Sequence, residues 1–318
     1  MQASATAQPN IALVKYWGKR DRERNLPAVS SLSITLDTLQ TMMSVRFGDC
    51  DADSLAVNGE PAPAMLTRVS YCLDLVAGSH RPRAQVDSEG NFPIGAGLAS
   101  SASAFAALAT AANAAAGTQH DRLALARFAG AVSGSAARSL YGGFVELDAG
   151  EDTIELRQLA TAADWSLAVV VAITSEGPKP VGSGDAMILS AETSPFYASW
   201  VARQPDDLVS AREAVADRDF ATLAKVAEHN CLKMHSVMWT SRPSIVYWNK
   251  ATIACMEAVR QLQSEGHGVF FTIDAGPQVK AVCLPGSTDR VASELAGVAG
   301  VRRTIVSKLG AGARVLSE

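Results

Sequence analysis

The chain has 318 residues, 48% hydrophobic and 19% charged, with a formal net charge of −4; it is long enough for one large or two ordinary domains with a sizeable core. A weakly acidic balance offers nucleic acid no basic face, so an anionic ligand must be held by a few local cations. Five scattered cysteines (Cys50, Cys72, Cys231, Cys255, Cys283) with no CxxC pair point to neither a disulfide framework nor a zinc site, but to reduced thiols in a cytoplasmic protein.

The first residues lack a basic stretch followed by an apolar one, so no signal peptide is expected. Residues 11–16 and 33–47 read as strands, the second with β-branched residues in rough alternation. Residues 64–75 have helical periodicity, and 84–87 suit a short strand. The charge-free stretch 90–119 could span a bilayer by length. Its Ala, Ser, Gly, Thr and Asn are too polar to insert, so it reads as a loop at 90–101 followed by a buried helix to 116, ended by Gly117, with no membrane association. A helix at 122–132, strands at 144–147 and 153–159, and a buried strand at 167–173 follow. After a Gly/Pro/Ser-rich stretch at 178–185, helical patterns dominate 194–265. Strands at 269–273 and 278–284, a helix near 289–295 and a strand near 302–306 close the chain. The expected division lies near residue 185, giving units 1–185 and 186–318.

Four segments carry chemistry. In Pro93-Ile94-Gly95-Ala96-Gly97-Leu98-Ala99-Ser100-Ser101-Ala102-Ser103, glycines permit close backbone approach and serines add hydroxyls. The following helix aims free N–H groups and its positive dipole end at the loop, which makes an anion site. The same residues also suit a serine cap with close helix packing. No GxxxxGK[ST] is present, and GxGxxG is only approached. In Val14-Lys15-Tyr16-Trp17-Gly18-Lys19-Arg20, a strand continued to residue 16 puts Lys15 and Trp17 on one face and Tyr16 on the other. A lysine at the inner end of an apolar strand is costly to bury unless an anion meets it. Lys19 and Arg20 suit a solvated strand end equally well. Ser133-Gly134-Ser135-Ala136-Ala137-Arg138 places an arginine fork, suited to carboxylate or phosphate, among serines and glycines. Asp274, in Ile273-Asp274-Ala275-Gly276-Pro277, ends an apolar strand before a tight turn, where it can cap the turn, act as a base or orient a hydroxyl.

Taken in order, these segments resemble the GHMP small-molecule kinase superfamily, whose phosphate motif P-x3-G-L-x-S-S-A falls on Pro93 to Ala102. Leu26-Pro27, Ser30-Ser31-Leu32-Ser33, Leu140-Tyr141-Gly142-Gly143, Glu192-Thr193-Ser194-Pro195 and Met234-His235 extend the likeness toward the diphosphomevalonate decarboxylase family. The resemblance covers almost the whole chain. It implies a two-domain α+β fold: a half like ribosomal protein S5 domain 2, a ferredoxin-like half, a cleft between them, and a homodimer. The implied reaction is ATP-dependent decarboxylation of (R)-5-diphosphomevalonate to isopentenyl diphosphate, with Mg2+. By matching position, Asp274 would orient or deprotonate the C3 hydroxyl, Arg138 would hold the carboxylate, and Lys15 would sit near the transferring phosphoryl group. Tyr16, Trp17, Lys19, Ser133 and Ser135 would line the substrate side. Gly95, Gly97, Leu98, Ala99, Ser100, Ser101 and Ser103 would hold ATP, with Ser183 beside it and Ser101 on the metal. Two departures stand out. The segment Lys179 to Met187 keeps Ser183 and Met187 but carries Gly and Ala where the family has Ser and Thr, and a usual Pro-Pro pair is Pro243-Ser244. A kinase that stops after phosphorylation, a decarboxylase of the monophosphate and a non-catalytic binding module are the alternatives. A Ser-His hydrolase is disfavoured because no GxSxG occurs. His229 and His235 are not spaced as a helical metal pair.

Overall fold

The computed structural model describes residues 1–92, 100–177 and 179–316. The first sheet contains β1 (Gln2–Ala7), β6 (Thr41–Gly48), β7 (Ser54–Val57), β8 (Glu60–Pro61), β9 (Arg83–Gly90) and β16 (Arg314–Val315), ordered β16-β1-β6-β9-β7-β8. The second contains β2 (Asn10–Val14), β5 (Ser31–Thr35), β10 (Phe144–Asp148) and β11 (Glu155–Ala160), ordered β11-β10-β5-β2. A ribbon of β3 (Lys19–Asp21) and β4 (Leu26–Pro27) stands apart. The third sheet contains β12 (Ala168–Ile173), β13 (Val269–Thr272), β14 (Val279–Cys283) and β15 (Arg303–Lys308), ordered β13-β14-β12-β15 and antiparallel throughout.

Helices α1 (Pro63–Ala77) and α2 (Ser100–Ala116) pack on the first sheet, while α3 (Arg122–Val132) and the single turn α4 (Ala136–Ser139) pack on α2 and reach the second sheet at β11 and at β5 and β10. Helix α2 crosses β1 and β6; its alanines are buried nearly all round, because side chains this small let sheet and helices approach on every side. Asp121 caps α3 by accepting the Ala124 N–H at 2.7 Å. The second half adds α5 (Ser183–Thr193), α6 (Tyr197–Asp217), α7 (Phe220–Trp239), α8 (Lys250–Ser264) and α9 (Thr288–Gly297). Helix α7 packs against both β2 and β13, tying the second sheet to the third. One apolar core joins them, with Ile11, Leu13, Phe144, Val169, Phe270 and Leu223 all buried. No described helix is long and apolar enough to cross a membrane.

Three features of the strands were not foreseen in the sequence. Residues 33–47 form two strands in different sheets, parted at Leu36–Gln40, where Leu36 makes a lone bridge to Leu309. Residues 2–7 form a strand inside the first sheet although Ala, Ser and Thr carry no strong strand pattern; pairing with β6 on one side and β16 on the other supplies what propensity lacks. The strand at 168–173, which a division near 185 assigns to the first half, pairs with strands of the second.

Candidate active site

A cleft of about 490 Å³ opens between the halves. Strand β2 ends at Val14, so Lys15, Tyr16 and Trp17 follow it in irregular backbone, and face alternation does not govern them. All three are buried. Their backbone is held from the helical block. Asn230 on α7 accepts the Lys15 N–H at 2.7 Å, Gln204 on α6 donates to the Lys15 carbonyl at 2.8 Å, and Trp200 donates to the Trp17 carbonyl at 3.1 Å. Gly18 then takes a φ of +101°, and a Cβ there would lie 2.1 Å from the Tyr197 hydroxyl, so only glycine fits.

The Lys15 ammonium donates to Asp274 Oδ1 at 2.7 Å and to the Ala12 carbonyl at 2.8 Å. Lys280, fully buried on β14, lies 3.5 Å from Asp274 Oδ2. The aspartate side chain is 23% exposed, toward the cleft. Burial by itself raises the Asp274 carboxyl, but the two ammonium groups outweigh it and hold the group well below the usual carboxylate range. Burial pushes the Lys280 ammonium down. The peptide before Asp274 is fixed at the free edge of β13: Glu228 Oε1 accepts the Phe271 N–H at 3.0 Å, and Cys231 Sγ accepts the Ile273 N–H at 3.2 Å. His235, on the same α7 face, lies 3.3 Å from the Ile273 carbonyl; burial pushes its imidazole down to about 3, so it is neutral there.

Arg138, on α4, is buried with its Nη1 on Ser31 Oγ at 2.6 Å and Nε on Asn10 Oδ1 at 3.3 Å. Burial pulls its guanidinium down to about 10. Its charge sits 5.6 Å from the centre of the Tyr16 ring, and burial pushes the Tyr16 hydroxyl up to about 12. A Cβ on Gly134 would come within 2.1 Å of that hydroxyl. Ser133 Oγ lies 3.4 Å from Ser101 Oγ, which brings the start of α2 to the same wall. Lys179 donates to Ser183 Oγ at 2.5 Å and to the Ala275 carbonyl at 3.0 Å; burial pushes it down to about 8.

Lys15, Tyr16, Trp17, Lys19, Ser100, Ser101, Ser133, Ser135, Arg138, Ser183 and Asp274 therefore line one cleft. Ser103 does not. About 200° round α2 from Ser101, it faces the sheet, fully buried, paired with the Thr41 hydroxyl at 2.7 Å and bonded to the Ser100 carbonyl at 3.1 Å. Gly95, Gly97, Leu98 and Ala99 lie outside the described residues. Sequence reasoning missed Arg68 and Lys179 as cleft cations, Lys280 as the buried cation behind Asp274, and Asn230 and Gln204 as backbone clamps. Lys280 had the signal applied to Lys15, a lysine inside an apolar strand. Arg68 faces outward from a helix pattern that gives no hint of Lys19, whose ammonium is pushed down by burial and by the Arg68 charge.

A family profile described as diphosphomevalonate decarboxylase-like N-terminal domain matches residues 7–160, and one described as mevalonate 5-diphosphate decarboxylase C-terminal domain matches residues 169–309. Diphosphomevalonate decarboxylase of Candida albicans is 32% identical, over 99% of this chain and 98% of that protein. Mevalonate diphosphate decarboxylase from Staphylococcus aureus superposes with a TM-score of 0.93 at 34% identity, over 99% of this chain and 98% of that one. The structure of MDDEF in complex with MVAPP, AMPPCP and magnesium gives a TM-score of 0.92 at 35% identity, over 100% and 99%. The architecture is thus the two-domain α+β GHMP kinase fold, and with both halves matched, the chain belongs to the diphosphomevalonate decarboxylase family.

Proposed function

We propose that this cleft carries out the ATP-dependent decarboxylation of (R)-5-diphosphomevalonate to isopentenyl diphosphate, CO2, ADP and phosphate. The observation that carries the reading is one carboxylate, Asp274, held between the Lys15 and Lys280 ammonium groups on the wall that faces Arg138 and the serines. A tertiary hydroxide leaves poorly. The C3 hydroxyl oxygen therefore attacks the γ-phosphorus of ATP, and ADP departs. The C3–O bond to the new phosphate then breaks. The electron pair of the bond to the carboxylate carbon forms the double bond, and CO2 leaves.

Asp274, held as an anion, accepts the hydroxyl's hydrogen bond and then its proton. A weakly basic carboxylate suffices, because phosphoryl transfer depends mainly on positioning and on stabilising charge. Lys15 stabilises charge on the transferring group. Arg138 holds the substrate carboxylate, with its fork preset by Ser31 and Asn10. Tyr16, Trp17, Lys19, Ser133 and Ser135 take the rest of the substrate, with Arg68 adding a second cation beside Lys19 for the diphosphate. Ser100, Ser101 and Ser183 meet the nucleotide, together with Gly95, Gly97, Leu98 and Ala99.

Magnesium takes phosphate oxygens and few protein ligands. The Ser101 and Ser133 hydroxyls, 3.4 Å apart on the cleft wall, fit such an ion, and Ser101 would be the protein ligand. Bound there, it would neutralise phosphate charge. Incubation with ATP, Mg2+ and each mevalonate phosphate in turn tests the reading. ADP and CO2 in equal amounts from the diphosphate are expected; ADP without CO2 would mean a kinase that stops at phosphorylation.

A further inference from the structure

Lys280 stands in the middle of a buried strand, where its position serves no packing need that an apolar side chain would not meet better. In register it lies opposite Thr272 on β13 and Val171 on β12. Opposed residues in an antiparallel pair share a face. Thr272 on that face donates to the Ala12 carbonyl at 3.1 Å, the same oxygen that receives the Lys15 ammonium. The Lys280 side chain is thereby directed at the end of β2 and the Lys15–Asp274 pair. A fully buried ammonium is costly without an anion beside it, and Asp274 Oδ2 lies 3.5 Å away.

We propose that Lys280 is a positioning residue: it engages one oxygen of Asp274 while Lys15 engages the other, so that the carboxylate meets the substrate hydroxyl in one orientation and only as an anion. This rests on the function proposed above. With Lys15 alone the carboxylate could rotate about its Cβ–Cγ bond and exchange its oxygens. The charged and titratable groups around Asp274 are Lys15 from the end of β2, Lys280 from β14, Arg138 from α4, Lys179 from the segment before α5, and the neutral Cys231 and His235 from α7. Lys15 and Lys280 dominate the carboxyl.

The test is a carbon-13 NMR titration of the Asp274 carboxyl in the unliganded protein, beside the pH profile of kcat/KM. In Lys280→Met, both the carboxyl titration and the acid limb of kcat/KM should move up by about 1–3 pH units, the range for losing an opposite charge at this distance. Lys280→Arg should keep the wild-type limb. Lys280→Met leaves Asp274 still paired with Lys15 at 2.7 Å, so no buried charge is left without a partner and the methionine variant should keep its thermal midpoint. A wild-type titration and acid limb in Lys280→Met would overturn the proposal. Lys15→Met supplies a second test independent of that variant's folding: Lys280 alone should still hold the Asp274 titration below that of an ordinary aspartate, and a return to the ordinary value would also overturn it. The NMR readout needs no turnover. Failure to release CO2 would therefore sink the reaction and leave the ion cluster standing, whereas an unmoved titration would sink only the role of Lys280.

Discussion

Two buried ion clusters in this molecule use the same chemistry in opposite proportions. At the far side of the first sheet, one cation meets two acids: Arg81 pairs with both oxygens of Asp53 at 2.9 and 2.7 Å and with Asp74 at 2.9 Å. Asp53 takes a further N–H from Ala84 at 2.9 Å, and the surplus acid, Asp74, is 42% exposed. In the cleft one acid meets two cations, both fully buried; Asp274 and Lys15 line the open volume and Lys280 lies behind them. The first cluster is closed on itself and pins the start of β7 and β9 to α1. The second brings two ammonium groups to one carboxylate at the wall of the cleft. A surplus that solvent cannot relieve, aimed into a cleft, is what separates a binding site from a structural clamp.

The largest effect that can break this contrast is on turnover. Asp274→Asn should lower kcat by about 10²–10⁴, the contribution typical of a positioned proton acceptor, while nucleotide still binds; an ADP-release assay measures it, and unchanged turnover would remove Asp274 from its role. Arg81→Met should do the reverse. It leaves two acids facing each other and should cost about 3–5 kcal/mol of unfolding free energy, read from a urea midpoint, with kcat/KM unchanged. Asn230→Ala removes the acceptor of the Lys15 N–H without touching either ion pair. About a tenfold loss in kcat is expected, since roughly 1.4 kcal/mol of misplacement is worth one decade and a lost buried hydrogen bond costs about that much.

The smallest effect concerns acid. The Arg81 hydrogen bonds hold the folded Asp53 carboxyl below the usual range despite burial. Its stabilisation is therefore complete above the unfolded carboxyl value of about 3.9 and is lost as pH falls from there toward the lower folded value. Urea midpoints between pH 5 and pH 2 should fall less steeply in Asp53→Asn than in the wild type.

Much of the local structure was legible because its causes lie within a few residues. The helix Arg122–Val132 is framed by its own aspartate cap, and Ser100–Ala116 by alanine propensity and Gly117 at φ +68°. The split of residues 33–47 was not legible, since where the first strand ends Leu36 bridges Leu309, far along the chain. Nor was the strand 2–7, whose stability comes from neighbours rather than from its own residues. In the site, Lys15, Arg138 and Asp274 carried a sequence signal because each is charged within an apolar or glycine-rich run. Ser103 carried the same serine signal as Ser100 and Ser101, but helical rotation turned it to the sheet.

By itself the chain's residue order determined most of the helices and strands, where α2 and α3 begin or end, and which side chains are able to bind phosphate or carboxylate, because these follow from covalent geometry and near neighbours. The tertiary structure alone decided that a lysine and an aspartate 259 positions apart would touch, that Lys280 would join them, and that Asn230 and Cys231 on one helix would hold both partners in place. Those contacts depend on strand register and on burial that makes an unpaired charge costly, and neither is a property of any short stretch of chain.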